Sequence, residues 1–351
     1  MSSSADGAAV VKLSELGDIV AAVPFMLGFQ PAESLVVVSL SGRRERLTFT
    51  LRLDLEPPEL DEQVASMLAE RMAYAKADQV LVVVYTEAAH PLGDLPRRAL
   101  VEELERAFPM PVRDAVLVTA ERLWSYLCDD PRCCPPEGRR RDPDSPGTVA
   151  VAAANALHGT AVLPSREAVV ASVAPVSGIT AVSMRQAIDR AWATRDSDGP
   201  AAFRRSVLTL AAELSDRYAE PPSRLTDDDA ATLTVGLHDV RVRDELMCWC
   251  LDRGDAMRSL LGDVVRRAQP PYDAPACTLL AWVSYLQGDG VVTVSALDRA
   301  RSSDPSYRLA ALLGQALESQ LTPTRLRELA RDLVEQSVPS AKRRGRPRAP
   351  R

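Results

Sequence analysis

Apolar runs with the length and composition of buried strands occur only within the first 127 residues, and this uneven distribution constrains the fold most. Residues 35–40 (LVVVSL) and 79–85 (QVLVVVY) are nearly continuous apolar runs, which indicate strands buried on both faces. Residues 47–54 alternate apolar and polar side chains after a Ser-Gly turn, so they predict an antiparallel partner for the first run. Residues 112–119 predict a further strand, with residues 122–127 returning as its hairpin partner.

Segments with the apolar spacing of helices precede the first strand and separate the later ones. They lie at residues 13–23, 59–76 and 95–108. Strands and helices that alternate after an opening hairpin indicate an α/β domain with a mainly parallel sheet and an antiparallel hairpin flank. We assign this domain to residues 1–148, because residues 132–147 form a loop rich in proline, glycine and charge.

The strand pattern ends at residue 149, and helical segments then follow one another. They are predicted at residues 149–158, 165–173, 180–195, 202–219, 227–238, 241–253, 256–268, 275–287, 291–303, 306–319 and 323–336. Residues 149–338 are therefore predicted to form an all-helical, repeat-like domain. The last residues, 339–351, are predicted to be a disordered basic tail.

Charge is divided unevenly between the body of the chain and this tail. The whole chain carries a formal charge of −6 at pH 7. The tail from Ser340 holds six basic residues and no acidic residue, so residues 1–339 carry −12. Because nucleic acid repels an acidic body, a contact with DNA would have to come mainly through the tail.

Several features of the sequence bear on the cellular compartment. The amino terminus has no basic segment followed by an apolar one, and the chain has no run of 18 apolar residues. We therefore expect neither a signal peptide nor a membrane span. The six cysteines of a chain without an export signal are expected to be free thiols, which is typical of a cytoplasmic protein.

Three blocks of the sequence resemble a known family. Residues 21–38 read AAVPFMLGFQPAESLVVV, and residues 124–138 read WSYLCDDPRCCPPEG. Together with a third block at residues 280–305, they are similar to an actinobacterial family known only as a domain of unknown function. The resemblance spans residues 13–320, so the tail lies outside it. It implies no reaction, ligand or catalytic residue.

The third block also resembles one tetratricopeptide unit. Thr293, Leu297, Ala300 and Pro305 stand at the spacings of that repeat, and Gly288 stands at the turn between its helices. The first helix departs from the repeat, because a cysteine and a serine occupy the positions of the expected Trp and Tyr. We interpret the segment as degenerate helical-repeat packing that offers a surface to a protein partner. The alternative is a helical bundle with coincidental small residues.

The last ten residues read KRRGRPRAPR and resemble an AT-hook, a short arm that lies in the minor groove of A·T-rich DNA. Glycine lets the backbone press against the groove floor, proline keeps the chain extended, and arginines reach the negative potential of a narrow groove. The predicted DNA-binding residues are Arg343, Arg344, Gly345, Arg346, Pro347 and Arg348. The alternative is a terminus without function, because Arg, Gly, Pro and Ala all use GC-rich codons.

A cluster of thiols, Cys128, Cys133 and Cys134, could bind zinc with His158 as a fourth donor. Zinc needs four donors in tetrahedral array, usually from pairs of cysteines two to four residues apart. The spacing here is C-x₄-C-C, and adjacent cysteines turn both sulfurs to one ion only with backbone strain. The sequence therefore predicts no metal and no cofactor, and it favours a proline-braced loop whose cysteines pack beneath aromatic residues.

Ligands of α/β sheets bind beyond the carboxyl ends of the strands, which are predicted at residues 39–42, 86–90 and 119–122. The side chains that could share a ligand pocket there are Glu87, His90, Glu121 and Arg122. The alternative is that these side chains are solvated loop residues.

The sequence contains no dinucleotide-binding, phosphate-loop, nucleophile-elbow or metalloprotease motif. We therefore expect a cytoplasmic interaction or regulatory protein, tethered to A·T-rich DNA by its tail, rather than an enzyme. The alternative is an enzyme or small-ligand-binding protein with its site at the strand ends of the α/β domain.

Overall fold

The structure is a computed structural model that describes residues 16–42, 46–75, 77–88, 90, 94–157, 162–220, 222–319 and 321–337. The chain divides into two compact units, Met1–Val169 and Val170–Arg351. All strands among the described residues belong to the first unit, and the second unit is helical. This confirms the prediction of an α/β domain followed by an all-helical domain. His158 and the predicted tail lie outside the described residues.

The first unit consists of a sheet and its surrounding helices. Its elements are α1 (Leu16–Leu27), β1 (Ser34–Ser41), β2 (Arg46–Asp54), α2 (Asp61–Ala75), β3 (Gln79–Tyr85), α3 (Arg98–Ala107), β4 (Val112–Val118), β5 (Arg122–Ser125), β6 (Arg139–Arg140) and α4 (Pro146–Leu157). The boundary between the units falls within α5 (Arg166–Ser172). The first unit extends beyond the predicted boundary at residue 148, because α4 packs against α1.

The described strands form one sheet in the order β2-β1-β3-β4-β5-β6. Strands β3 and β4 are parallel, and every other neighbouring pair in this sheet is antiparallel. The sheet is therefore mixed rather than mainly parallel, which corrects that detail of the prediction. The physical reason is the position of β1. Helical crossovers make β2, β3 and β4 run in one direction, as predicted, but β1 lies between β2 and β3.

One edge of the sheet gathers the carboxyl ends of β3 and β4 with the amino end of β1, where Ser34 pairs with Tyr85. Residues 39–42 lie at the opposite edge, because β1 is antiparallel to β3 and Leu40 pairs with Gln79. The prediction that residues 39–42 share an edge with residues 86–90 and 119–122 is therefore wrong.

Burial of β1 and β3 on both faces holds the first unit together, as their continuous apolar runs predict. On one face, Val37 and Val82 pack in a cluster with Leu68 of α2 and Leu104 of α3, and all four are fully buried. Each such side chain contributes about 1.5–3 kcal/mol relative to an exposed one. The same packing positions the loops at the strand ends.

The second unit consists of helices joined by short connections. They are α6 (Gly178–Asp198), α7 (Pro200–Tyr218), α8 (Asp227–Gly236), α9 (Val240–Asp252), α10 (Gly254–Arg267), α11 (Ala274–Leu286), α12 (Gly290–Ser303), α13 (Arg308–Glu318) and α14 (Pro323–Ser337). These bounds match the predicted helices to within a few residues. Within the described ranges, none of the helices combines the length and apolar character needed to cross a membrane.

Helix α11 lies at the centre of the second unit. Every residue of α11 is buried, and the helix packs against α9, α10, α12, α13 and α14. Repeat arrays stack so that each unit contacts only its neighbours along one dimension. A helix surrounded on all sides therefore favours a helical bundle over repeat packing. The predicted turn at Gly288, which has a φ of 82°, does connect α11 to α12.

Arg299 of α12 links several segments of this bundle. Its Nε and Nη2 atoms each lie 2.8 Å from Oδ2 of Asp273, whose side chain is fully buried. Nη1 donates to the carbonyl oxygens of Val173 (2.6 Å) and Val265 (2.8 Å), and Nη2 donates to that of Ala268 (2.7 Å). One guanidinium thus satisfies a buried carboxylate and three backbone carbonyls.

Candidate functional site

The loop before β1 is fixed to the end of β3 by Glu33. Its two carboxylate oxygens lie 3.0 and 2.9 Å from Oγ1 of Thr86, and one also accepts from the backbone N–H of Glu87 at 3.1 Å. Glu33 has a φ of 41°, in the left-handed region that few residues other than glycine adopt. Sequence spacing alone carries no signal of this connection, because Glu33 and Thr86 meet only through the pairing of β1 with β3.

The predicted pocket residues lie at this same edge of the sheet. Glu87 accepts a hydrogen bond from the backbone N–H of Ala120 (2.7 Å), which joins the loops that follow β3 and β4. The ring of His90 meets the ring of Trp124 edge to face at a centroid distance of 4.9 Å. Each of these contacts lies within the protein and positions a loop.

The other two predicted pocket residues follow β4. The Nη1 atom of Arg122 donates to the carbonyl oxygens of Glu137 (3.0 Å) and Gly138 (2.8 Å). The backbone carbonyl of Glu121 accepts from the backbone N–H of Arg141 (2.8 Å), while the residue itself is exposed. These bonds fasten the residues on both sides of β6 to the β4–β5 turn and the first residue of β5.

A cleft with a volume of about 1040 Å³ opens beside these loops, and the four predicted pocket residues are not among those that line it. Its walls come from α1, the β4–β5 turn, β6 and the start of α4. The polar side chains on which its chemistry depends are those of Asp18, Gln30, Arg139, Arg140, Arg141, Asp142, Ser145 and Thr148. Sequence reasoning places Arg139–Arg141 in a loop and misses their position along this cleft, although three successive arginines are a visible signal.

Arg141 is held in place by backbone groups. Its Nη1 atom donates to the carbonyl oxygens of Thr119 (3.0 Å) and Ala120 (3.3 Å) at the β4–β5 turn. Its positive charge also acts on Tyr85, at the end of β3: burial raises the pKa of the Tyr85 phenol above its usual value, and Arg141 opposes that increase. The Tyr85 hydroxyl is buried and has no hydrogen-bond partner among the described residues. The guanidinium of Arg141 is thus oriented by contacts within the protein.

Asp18 closes one wall of the cleft. Its carboxylate is buried against the first turn of α4, so near that a Cβ atom on Gly147 would lie 2.0 Å from Oδ1. Only glycine permits this approach. A carboxylate at the amino end of a helix is stabilised by the helix dipole, so the charge of Asp18 is partly compensated there.

The loop between β5 and β6 brings together the three predicted thiols. The sulfur atoms of Cys128, Cys133 and Cys134 all lie within 4.8 Å of one another, and the three cysteines are free. Burial, followed by the neighbouring Cys128 and Cys133 thiols, raises the pKa of Cys134 to about 12.

Hydrogen bonds brace this thiol loop at both ends. The backbone N–H groups of Cys133 and Cys134 both donate to the carbonyl oxygen of Asp130, at 3.0 and 2.7 Å. The backbone N–H of Cys128 donates to Oγ of Ser125 (3.1 Å). One tight turn therefore places adjacent sulfurs beside the third.

The far end of the loop packs on an aromatic ring. The indole N–H of Trp124 donates to the carbonyl oxygen of Pro136 (3.1 Å). Gly138 has a φ of 78°, and a Cβ atom on it would lie 2.3 Å from Cε2 of Trp124. This glycine therefore lets the backbone lie directly on the ring.

These features define a class of protein: a mixed α/β sheet with an arginine-lined cleft, followed along the chain by a closed helical bundle. The chain belongs to the family described as Domain of unknown function (DUF4192), whose model matches residues 17–324. The match confirms the resemblance to a family of unknown function. No curated protein and no solved structure matches the chain.

Proposed function

We propose that the protein is a cytoplasmic regulatory protein whose α/β unit binds a small anionic molecule in the cleft beside β6. The observation that carries this proposal is the presence of Arg139, Arg140 and Arg141 along one cleft of about 1040 Å³. Clefts of this order of size hold small-molecule ligands, and they commonly lie at strand ends in α/β sheets.

The chemistry of the lining favours an anion of modest charge. Arg139, Arg140 and Arg141 supply three positive charges, and Asp18 and Asp142 supply two negative ones. Guanidinium groups bind carboxylate or phosphate groups in a bidentate manner, so ligands with either group fit the cleft.

The same lining suits binding better than catalysis. An arginine stays protonated at neutral pH, so it does not act as a general acid or base. The hydroxyl of Ser145 accepts from the backbone N–H of Thr148 (3.2 Å) and lies 2.9 Å from the hydroxyl of that residue, at the start of α4. These groups orient and neutralise a ligand, and we therefore propose a binding protein rather than an enzyme.

Arg140→Gln is expected to weaken anion binding by about 10- to 100-fold, because a hydrogen bond to a charged group contributes about 1.5–3 kcal/mol. Calorimetric titration of the full chain with inorganic phosphate, citrate and ATP would measure this change. Arg71→Gln, which removes an exposed arginine from α2, is the matched control and should leave affinity unchanged. Absence of binding by all three anions, or equal affinity of Arg140→Gln and the unaltered chain, would contradict the proposal.

A second function, tethering to A·T-rich DNA, is favoured by the tail. Six cations on residues 340–351 follow a body of charge −12, and Arg344-Gly345-Arg346-Pro347 has the composition of a minor-groove arm. Six cations release at most about five condensed counterions, so affinity should fall steeply with salt. One short arm binds weakly, and useful affinity would come from several copies on one DNA or from a DNA-bound partner.

Deletion of residues 340–351 is expected to abolish binding to A·T-rich duplexes, measured by fluorescence anisotropy at low salt. A double variant, Arg344→Lys with Arg346→Lys, keeps the charge but replaces the guanidinium groups that favour a narrow groove. It should therefore keep the salt dependence and lose the preference for A·T over G·C duplexes. Equal binding of the unaltered chain to both duplexes would exclude the AT-hook interpretation.

The helical unit also presents a surface that fits the proposed protein partner. An apolar groove of about 140 Å³ is lined by Met247, Trp282, Leu312 and Leu326, among others. The side chain of Leu312 is 58% exposed, so part of this apolar lining is open to a partner.

A further inference from the structure

We infer that Cys128, Cys133 and Cys134 form a zinc site with three thiolate ligands, and that its fourth position takes a water molecule or another exogenous donor. The inference goes beyond the proposed cleft function, because it assigns a separate site to the loop between β5 and β6. It rests on the convergence of three sulfur atoms, on the bracing of the loop, and on the ligand chemistry of thiolates.

The spacing of the sulfur atoms fits one ion. Zinc–sulfur bonds of about 2.3 Å at tetrahedral angles place two bound sulfurs about 3.8 Å apart. The three sulfur atoms here lie within 4.8 Å of one another. The difference from the distance between two sulfurs on one zinc ion is therefore at most about 1 Å.

The loop is already ordered in the form that the ion requires. Cys133 and Cys134 share the carbonyl oxygen of Asp130 as their backbone acceptor, and Cys128 is fixed by Ser125. This turn removes the objection raised by the spacing, since adjacent cysteines direct both sulfurs to one point within it. Preorganisation lowers the entropy lost on binding.

The donor set selects the metal. Thiolates are soft ligands that favour zinc or monovalent copper over magnesium and calcium. Among the described residues, the cluster contains three donors, which matches the three protein ligands of zinc sites that keep one position for water or substrate. Binding releases the thiol protons to solvent and requires no oxidant or reductant, because zinc does not change its oxidation state.

A bound ion would also influence the neighbouring cleft. The thiol loop leads directly into β6, whose arginines line that cleft. An ion that fixes Cys134 limits the motion of the four residues, 135–138, that connect it to Arg139. Zinc would therefore support the position of the arginines without contact with the anion itself.

The test uses the full chain, purified under reducing conditions, stripped of metal and titrated with zinc or cobalt alone. We expect one zinc per chain, and with cobalt a thiolate-to-metal charge-transfer band with the visible absorption of a tetrahedral site. Cys134→Ser should lower zinc affinity by more than about 100-fold, because loss of a direct ligand exceeds the 10- to 100-fold effect of an outer contact. Cys248→Ser, which alters a thiol on α9, should bind zinc like the unaltered chain.

Two further measurements keep the result interpretable. The metal-free forms of Cys134→Ser and the unaltered chain should melt at similar temperatures, and only the unaltered chain should gain stability from zinc. His158→Ala should retain the metal. Loss of the metal in this variant would show that His158 is the fourth ligand, and it would contradict a fourth position that is open to water. Failure of the unaltered chain to retain zinc, or equal affinity in Cys134→Ser, would overturn the site. The site would also be overturned if the zinc-free chain had a mass two hydrogen atoms below that of the fully reduced chain, because that mass would indicate a disulfide.

Discussion

Arg299→Ala is expected to lower the free energy of unfolding of the helical unit by about 3–5 kcal/mol, the cost of leaving a buried charge without its partner. The side chain of Asp273 is 0% exposed and that of Arg299 is 12% exposed. Alanine at this position would also leave the carbonyl groups of Val173, Val265 and Ala268 without these donors. Since whole domains are stable by about 5–15 kcal/mol, this loss is a large fraction of the total.

An exposed arginine–aspartate pair supplies the control. Arg190 and Asp228 form an ion pair at 2.6 Å, but their side chains are 61% and 75% exposed. Arg190→Ala should therefore change the stability by less than about 1 kcal/mol. Urea unfolding followed by tryptophan fluorescence measures both, because Trp192, Trp249 and Trp282 all belong to the second unit. A similar loss in the two variants would show that the buried network does not stabilise the bundle.

Arg299→Lys separates charge from geometry. Lysine keeps the positive charge but cannot reach several acceptors with a planar fork of donors. We expect this variant to recover part of the stability lost in Arg299→Ala. Full recovery would show that the charge alone is sufficient and that the three carbonyl contacts contribute little.

Gly138→Ala is expected to cost the α/β unit about 2–5 kcal/mol. Two effects combine at this position. A φ of 78° strains any residue with a Cβ atom by about 1–2 kcal/mol, and insertion of an atom into a packed site costs about 1–3 kcal/mol. The new atom would lie 2.3 Å from Cε2 of Trp124, so the ring has to move and its bond to Pro136 is lost.

Gly42→Ala isolates the strain from the clash. Gly42 has a φ of 77°, almost the same as Gly138, but among the described residues nothing lies within 4 Å of a Cβ atom built there. This variant should therefore cost only about 1–2 kcal/mol. Native-state hydrogen exchange of the backbone amides of the first unit measures both variants without interference from the second unit. Equal losses in the two variants would show that the ring moves freely and that the steric term is absent.

Elements with continuous patterns are predictable from the sequence, and elements formed by pairing alone are not. The prediction for β3 matches its observed bounds, because residues 79–85 are an unbroken apolar run. Strand β6, Arg139–Arg140, has no pattern, since it exists only through its pairing with Arg122 and Leu123 of β5. The position of β1 between β2 and β3 also cannot be predicted from the local sequence, because it depends on which strands pair with each other.

The candidate sites show the same division. Sequence spacing identifies Cys128, Cys133 and Cys134 as a group, but only the turn around Asp130 shows that their sulfurs converge. The buried position of Asp18 follows from its approach to Gly147 across more than a hundred residues, which no local pattern records. For Arg299 the polar side chain suggests an exposed position, whereas its charge is buried against Asp273.

Complete enclosure of α11 also limits how this family can change. An array of stacked helical pairs grows or shrinks by whole units at its ends, since each end exposes the same kind of surface. A central helix with neighbours on every side leaves no open end for growth. An inserted pair of helices would have to displace one of the helices that pack against α11. We therefore expect variation in length among family members to fall in the connections between helices, while the number of helices around the centre stays constant.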